Sequence, residues 1–303
     1  MTRTPPDARG DQSMGYSNLR AAAVSLVSSV CILSGLAWPR TSEAQAVPLV
    51  FQSTFNIPEW AETPTRGDTD AQLAPDGDGI SGNGGWITLN GSVDQVTVAA
   101  NNPAGGGGRG FRHWVGDGLN NAGGGIVVSF TPVSEMWFRY YIRFQAGFAW
   151  DPSTIFMKTI YCNRGLPGTF YFGLHEGVVG GHIEAMPLVN HQSSVTWAQW
   201  QGGQGGDGNF HVLEVHAKMN TTGTSSDGVF EFWLDDRPIY SNSNIHFGNA
   251  TGGQFANCAV GENHNSPQNG ADAYVDFDDI AISATGRIGP IGGIPAPQRV
   301  IIR

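Results

Sequence analysis

The sequence predicts an all-β fold, an antiparallel two-sheet jelly-roll sandwich, and three observations carry that prediction. From Val47 onward, short segments alternate apolar with other side chains at a period of two. β-Branched and aromatic residues fill these segments, and Gly, Asn and Asp clusters punctuate them. No long stretch spaces its apolar residues at the helical period.

The first 46 of the 303 residues read as a secretory signal rather than as part of the sandwich. Arg3, Arg9 and Arg20 precede the run AAAVSLVSSVCILSGLA at 21–37, and Ala44-Gln45-Ala46 offers the small residues a signal peptidase accepts. A membrane anchor needs about 20 continuous apolar residues; this run is shorter and holds four serines. Met14 is an alternative start. The processed protein is expected to be secreted, extracellular or periplasmic, without membrane insertion.

Removing that segment leaves 12 basic and 23 acidic residues, net −11, with Lys158 and Lys218 the only lysines. Such a surface argues against nucleic acid or anionic membrane as a partner, because neither is attracted to it.

Eight strands follow in order: GGWITLN, GGIVVSF, MWFRYYIRF, IFMKTIYC, TFYFGLHE, FHVLEVHAKM, VFEFWLD and YVDFDDIAIS. They place the domain at 47–290, with an extended, Pro- and Gly-punctuated tail at 291–303. Glycine-rich stretches at 101–110, 121–125 and 201–209 read as loops, since no lysine or helix follows to cradle a phosphate. In VFEFWLDDRPIY, Asp235-Asp236-Arg237-Pro238 has turn chemistry and marks a hairpin. Cys162 and Cys258 remain after processing, and they either close one disulfide or stay as buried thiols.

Alternation assigns faces, because successive strand side chains point to opposite sides of a sheet. Phe138, Tyr140, Ile142 and Phe144 form a core row, opposite Trp137, Arg139, Tyr141 and Arg143. Leu213, Val215 and Ala217 lie opposite Glu214, His216 and Lys218. Phe230, Phe232 and Leu234 lie opposite Glu231, Trp233 and Asp235, and Phe170, Phe172 and Leu174 lie opposite Tyr171, Gly173 and His175. The non-core rows collect Trp, Tyr, Arg, His and Glu, which stack on sugar rings and bond hydroxyls or carboxylates. Either these rows share one ligand-binding face or they lie in different sheets, because strand order is not readable from one chain. Lys158 shares a face with Phe156 and Ile160 unless a bulge intervenes.

SEMWFRYYIRFQAGFAW, Lys158, DGNFHVLEVHAKMNTTGTSSDGVFEFWLDDRPIYS and YVDFDDIAISATGRIGP resemble the concanavalin A-like lectin/glucanase superfamily. Within it the likeness is to secreted bacterial polysaccharide-lyase-like domains. The resemblance implies two stacked sheets, one carrying a glycan cleft. No strand reproduces the Glu-x-Asp-x-x-Glu pattern of the superfamily's family 16 hydrolases, which counts against retaining hydrolysis.

A lyase acting beside a uronate carboxylate needs a cation to neutralise it and a Tyr or His to move the proton. The catalytic candidates are Lys158, Tyr141 and His175. Arg139, Arg143, Tyr171, Glu214, His216, Glu231 and Trp233 are the substrate-binding candidates. Arg139, Arg143, Lys158 and Arg164 form a basic cluster on an acidic chain, suited to an anionic glycan or to pairing with Glu214 and Glu231. The expected partner is an extracellular polysaccharide, cleaved by β-elimination; the alternative is a non-catalytic carbohydrate-binding or extracellular structural β-sandwich protein, and no oligomeric state follows from the sequence. No cofactor is required. Structural calcium is raised at Asp76 and Asp78 in APDGDGISGNGG, or at Asp276, Asp278 and Asp279, which the superfamily resemblance supports, while His182 and Glu184, alternate residues that could share a metal, read better as surface side chains.

Overall fold

A computed structural model of the protein describes residues 47–56, 84–88, 94–115, 125–149, 156–163, 166, 168–175, 177–183, 190–248, 253–261 and 273–292. The expected signal at 1–46, Asp76, Asp78, Arg164 and Glu184 lie outside the described residues.

Fifteen strands are described, and they form two antiparallel sheets. The eight-stranded sheet runs β13(Arg237–Ile245), β12(Gly228–Leu234), β11(Phe210–Lys218), β6(Glu135–Phe144), β15(Ala273–Ser283), β4(Gly110–Val115), β3(Asp94–Thr97), and β1(Leu49–Ser53) also pairs with β15. The seven-stranded sheet runs β10(Asn190–Thr196), β9(Val178–Ile183), β8(Phe170–His175), β7(Phe156–Cys162), β14(Phe255–Val260), β5(Ile126–Val133), β2(Gly84–Thr88). A single-turn helix, α1(Trp197–Gln201), follows β10. Thr196 and Gln199 close a capping box at its start, and Trp197 and Trp200 pack edge-on against Phe144.

The inward rows are those the alternation predicts. Phe138, Tyr140, Ile142, Phe144, Val215, Ala217, Phe230, Phe232, Phe170, Phe172 and Leu174 are fully buried, and Leu213 is nearly so. Contacts between rings join the sheets face to face: Phe172 meets Phe232 at 4.8 Å between centroids, and Phe170 meets Phe230 at 5.5 Å. Gly181 makes room for this packing, since a Cβ there would lie 2.4 Å from the Phe230 ring.

Cys162 and Cys258 sit directly opposite each other on β7 and β14 and are joined as a disulfide. At Asp235 and Asp236 the backbone turns through positive φ at both positions, and Leu234 pairs with Arg237. This is a two-residue hairpin of the primed type, whose twist matches that of its strands. No helix among the described residues is long and apolar enough to cross a membrane.

Candidate functional site

The rows predicted to form one cleft divide between the two outer faces. Arg139, Tyr141, Arg143, Glu214, His216, Glu231 and Trp233 lie on β6, β11 and β12 of the eight-stranded sheet. Lys158, Tyr171 and position 175 lie on β7 and β8 of the seven-stranded sheet. The hydrophobic core separates them. Alternation fixes the face of each strand but not its sheet, so the expected single constellation of Lys158, Tyr141 and His175 does not form.

On the eight-stranded sheet, most of the candidate polar residues anchor the chain's own C-terminal segment. Glu214, 2 % exposed, accepts the backbone N–H of Ile288 at 2.6 Å and of Gly289 at 2.9 Å. Burial pushes its pKa up, against the pull of those N–H groups and of Arg287 and Arg139. Arg139 donates to the carbonyls of Gly289 and Asp279, and the Tyr141 hydroxyl accepts the Ile291 N–H at 2.7 Å. Arg287 lies over the Trp233 ring at 4.7 Å and pairs with Asp236.

Glu214, Arg139 and Tyr141 thus hold a peptide strap through backbone hydrogen bonds, and Trp233 packs against its Arg287. Arg143 is committed as well. With Arg112 it neutralises the fully buried carboxylate of Asp276, at 2.5 and 2.7 Å. Of the cross-strand pairings raised as one alternative, Arg139 stands directly opposite Glu214 and each acts on the other's charge, whereas Arg143 pairs with Asp276 and Glu231 with His216.

Farther along that face, β13, β12, β11 and β6 align Ser241, Glu231, His216 and Trp137 in one row. His216 bonds Glu231 at 2.8 Å through Nδ1 and Glu135 at 2.9 Å through Nε2, and its ring stacks on Trp137 at 4.1 Å. Ser241 donates to the other Glu231 oxygen at 2.6 Å. The His216 bond, acting against partial burial, holds the Glu231 carboxyl below its usual range. Glu231 is a hydrogen-bonded anion, not a proton donor.

The three aspartates raised for calcium are also partnered. Asp278 accepts the N–H groups of Asn102 and Asp279, and Asp279 accepts from the Asn102 side chain. Burial, then the charge of Asp279, pushes Asp278 up to about 8. Among the described residues no group of three His, Cys, Asp or Glu side chains is arranged to hold a metal ion.

The seven-stranded sheet presents a different outer face. Lys158 Nζ sits 4.4 Å from the centroid of the Tyr161 ring and 4.6 Å from that of Tyr171. Tyr161 and Tyr171 are directly opposite on β7 and β8 and meet edge to face at 5.4 Å. Tyr171 is opposite His182 on β9, and those rings stack at 4.5 Å, 13° from parallel. One transverse row therefore reads Tyr161, Tyr171, His182. The next reads Lys158, Gly173, Gly180, two glycines beside the lysine that give the strand surface a low floor.

Lys158, Tyr171 and His182 are each half-buried, and Tyr161 is 9 % exposed. An ammonium between two phenols, with an imidazole behind, can hold a carboxylate, stack a sugar ring and carry a proton. The sequence reading did not include Tyr161 or His182 in this site. Tyr161 follows Lys158 by three residues, an odd spacing that puts both outward only if the strand bulges; His182 follows from the β8–β9 register.

Comparison with one solved structure agrees on architecture. An alginate lyase, Aly36B, solved as a double mutant in complex with an alginate tetrasaccharide, superposes with a TM-score of 0.51 at 14% identity, covering 81% of this chain and 100% of that one. The cellulose induced protein Cip1 matches at 0.45 and 14%, over 79% and 99% of the two chains. An endo-β-1,4-glucuronan lyase from the fungus Trichoderma reesei matches at 0.43 and 12%, over 78% and 96%. No family model matches the sequence, and no curated protein matches it. The chain has the concanavalin A-like jelly-roll fold. The form it takes is the two-sheet sandwich of the Aly36B alginate lyase.

Proposed function

We propose that this protein cleaves an acidic, uronate-containing polysaccharide by β-elimination, using the outer face of the seven-stranded sheet. The observation that carries the reading is Lys158 held between Tyr161 and Tyr171, with His182 stacked behind Tyr171. In this scheme Lys158 binds the uronate carboxylate and stabilises the negative charge that develops when the adjacent C5–H proton is removed. Tyr171, entering the step as the phenolate, takes that proton and becomes the phenol; the C5–H electrons form the C4=C5 double bond as the C4–O bond breaks. Tyr161 returns a proton to the leaving glycosidic oxygen.

Tyr171 replaces Tyr141 in the proton-transfer role, since the Tyr141 hydroxyl is bonded to Ile291 beneath the opposite face. A disulfide between Cys162 and Cys258 suits a secreted or periplasmic protein.

The near-parallel Tyr171–His182 stack favours a second reading, a carbohydrate-binding module without catalysis, because an aromatic stack holds a sugar ring without needing a base. A panel of polyuronates and neutral polysaccharides separates the two. β-Elimination gives rising absorbance near ~235 nm from the unsaturated product. Binding to a uronate polymer with no such rise supports the module, and reducing ends released without absorbance would refute the lyase in favour of hydrolysis.

A further inference from the structure

We infer that Thr159, with Tyr140 and Gly173, is the positioning device that turns Lys158 to the outer face, by holding a one-residue bulge in β7. The functional consequence rests on the proposed role of Lys158; the geometry does not.

Unbroken alternation would place Lys158 on the same side as Ile160, which is fully buried in the core. An ammonium there would cost several kcal/mol in desolvation. The register instead slips: Lys158 pairs with Gly173 while Ile160 pairs with Phe172, the next residue. Thr159 is the extra residue of a bulge. Thr159 and Ile160 both point inward and are fully buried, whereas Lys158 and Tyr161 both point outward to the Tyr171 ring.

Three features hold the bulge. The Thr159 hydroxyl donates to the Phe172 carbonyl at 2.9 Å, so its oxygen receives its other hydrogen bond, 2.5 Å long, from the Tyr140 hydroxyl. Tyr140 belongs to β6 of the opposite sheet, so the clamp reaches across the sandwich. The Thr159 carbonyl accepts the Gly261 N–H at 3.0 Å. A Cβ at Gly173 would lie 1.9 Å from the Met157 carbonyl oxygen and 3.0 Å from the Thr159 nitrogen, so the crowded backbone tolerates only glycine. Burial pushes the Tyr140 pKa up, which keeps that phenol a neutral donor.

The chain's two lysines make the inference directly measurable. Reductive ¹³C-methylation keeps the charge of each, and a proton–carbon correlation spectrum then reports Lys158 and Lys218 separately, alongside the α-amine. In the unsubstituted protein the Lys158 methyl signal is expected upfield, because Nζ lies 4.4 and 4.6 Å from the Tyr161 and Tyr171 ring centroids. Lys218, near Glu135 on the other sheet, is the internal reference.

Thr159→Val and Tyr140→Phe are expected to remove at least half of the Lys158 displacement and leave Lys218 in place; Thr159→Ser retains it. On a uronate polymer, kcat/KM falls about tenfold or more for Thr159→Val and recovers in Thr159→Ser, as expected when a reacting group is misplaced. If Thr159→Val does not fold, Tyr140→Phe decides alone, because it keeps the ring and removes one oxygen. An unmoved Lys158 signal in a folded Tyr140→Phe variant overturns the inference, whatever the activity. A displacement lost in the variants, where the unsubstituted protein itself shows no lyase activity, upholds the positioning and refutes the proposed reaction.

Discussion

Replacing Glu214 by Ala should unfold the protein's C-terminal strap without touching its chemistry. The carboxylate is 2 % exposed and accepts two backbone N–H groups, at 2.6 and 2.9 Å, with Arg287 Nε 3.5 Å away. Removing it strands those N–H groups and takes the counter-charge from Arg139, which is 7 % exposed and whose pKa burial already lowers. Breaking a buried charged pair by deleting one partner costs about 3–5 kcal/mol. For a domain of this size that is on the order of a 10 °C fall in Tm. Urea unfolding followed by tryptophan fluorescence gives the free energy, and limited trypsinolysis at Arg287 reports the strap. The folded fraction should keep its polysaccharide activity per molecule. A loss below 1 kcal/mol, or activity abolished in protein that is still fully folded, would refute the assignment of Glu214 to structure.

Three further outcomes follow from the same packing. Burial disfavours charge on His211, but Asp235 at 2.8 Å and Asp207 at 3.1 Å outweigh it and raise its pKa. The stability this gives is full below the ordinary histidine value and is lost as pH rises through the raised one; thermal melts from pH 5 to 9 should show that loss, and His211→Gln should flatten it. Asp278, raised to about 8 by burial and by Asp279, binds its proton more tightly when folded. Its contribution is full below the ordinary aspartate value and is lost as pH rises toward about 8, so Asp278→Asn should flatten urea-derived stability across that window. The Cys162–Cys258 disulfide spans a separation of 96 residues; for a loop of that length Cys162→Ser with Cys258→Ser should cost about 4–5 kcal/mol in urea.

Much of the sandwich was legible because burial and alternation are local. Phe138, Phe170, Phe172 and Phe230 show themselves as core by their spacing alone, and Asp235-Asp236 shows itself as a turn. Sheet membership was not legible. Tyr141 and Tyr171 each face away from a core row, and only the hydrogen-bonded order of β6 and β8 shows that they face away from each other.

The strap was hidden for another reason. Glu214 and Tyr141 are engaged by peptide N–H groups, which every residue but proline carries and which leave no trace in composition. The bulge at Thr159 was hidden because one inserted residue changes the phase of alternation without changing the kinds of residue present. That phase change decides whether Lys158 meets the core or the tyrosines.

The most direct test of the functional account compares one substitution on each outer face in the absorbance assay near ~235 nm with a polyuronate substrate. Lys158→Met should reduce the initial rate by about a hundredfold or more while leaving the melting temperature in place, as expected for loss of a charge-stabilising group. His216→Asn, on the eight-stranded sheet, should keep the rate of its folded fraction. A Lys158→Met variant that turns over polyuronate at the unsubstituted rate, or a His216→Asn variant that is folded and inactive, would contradict the account.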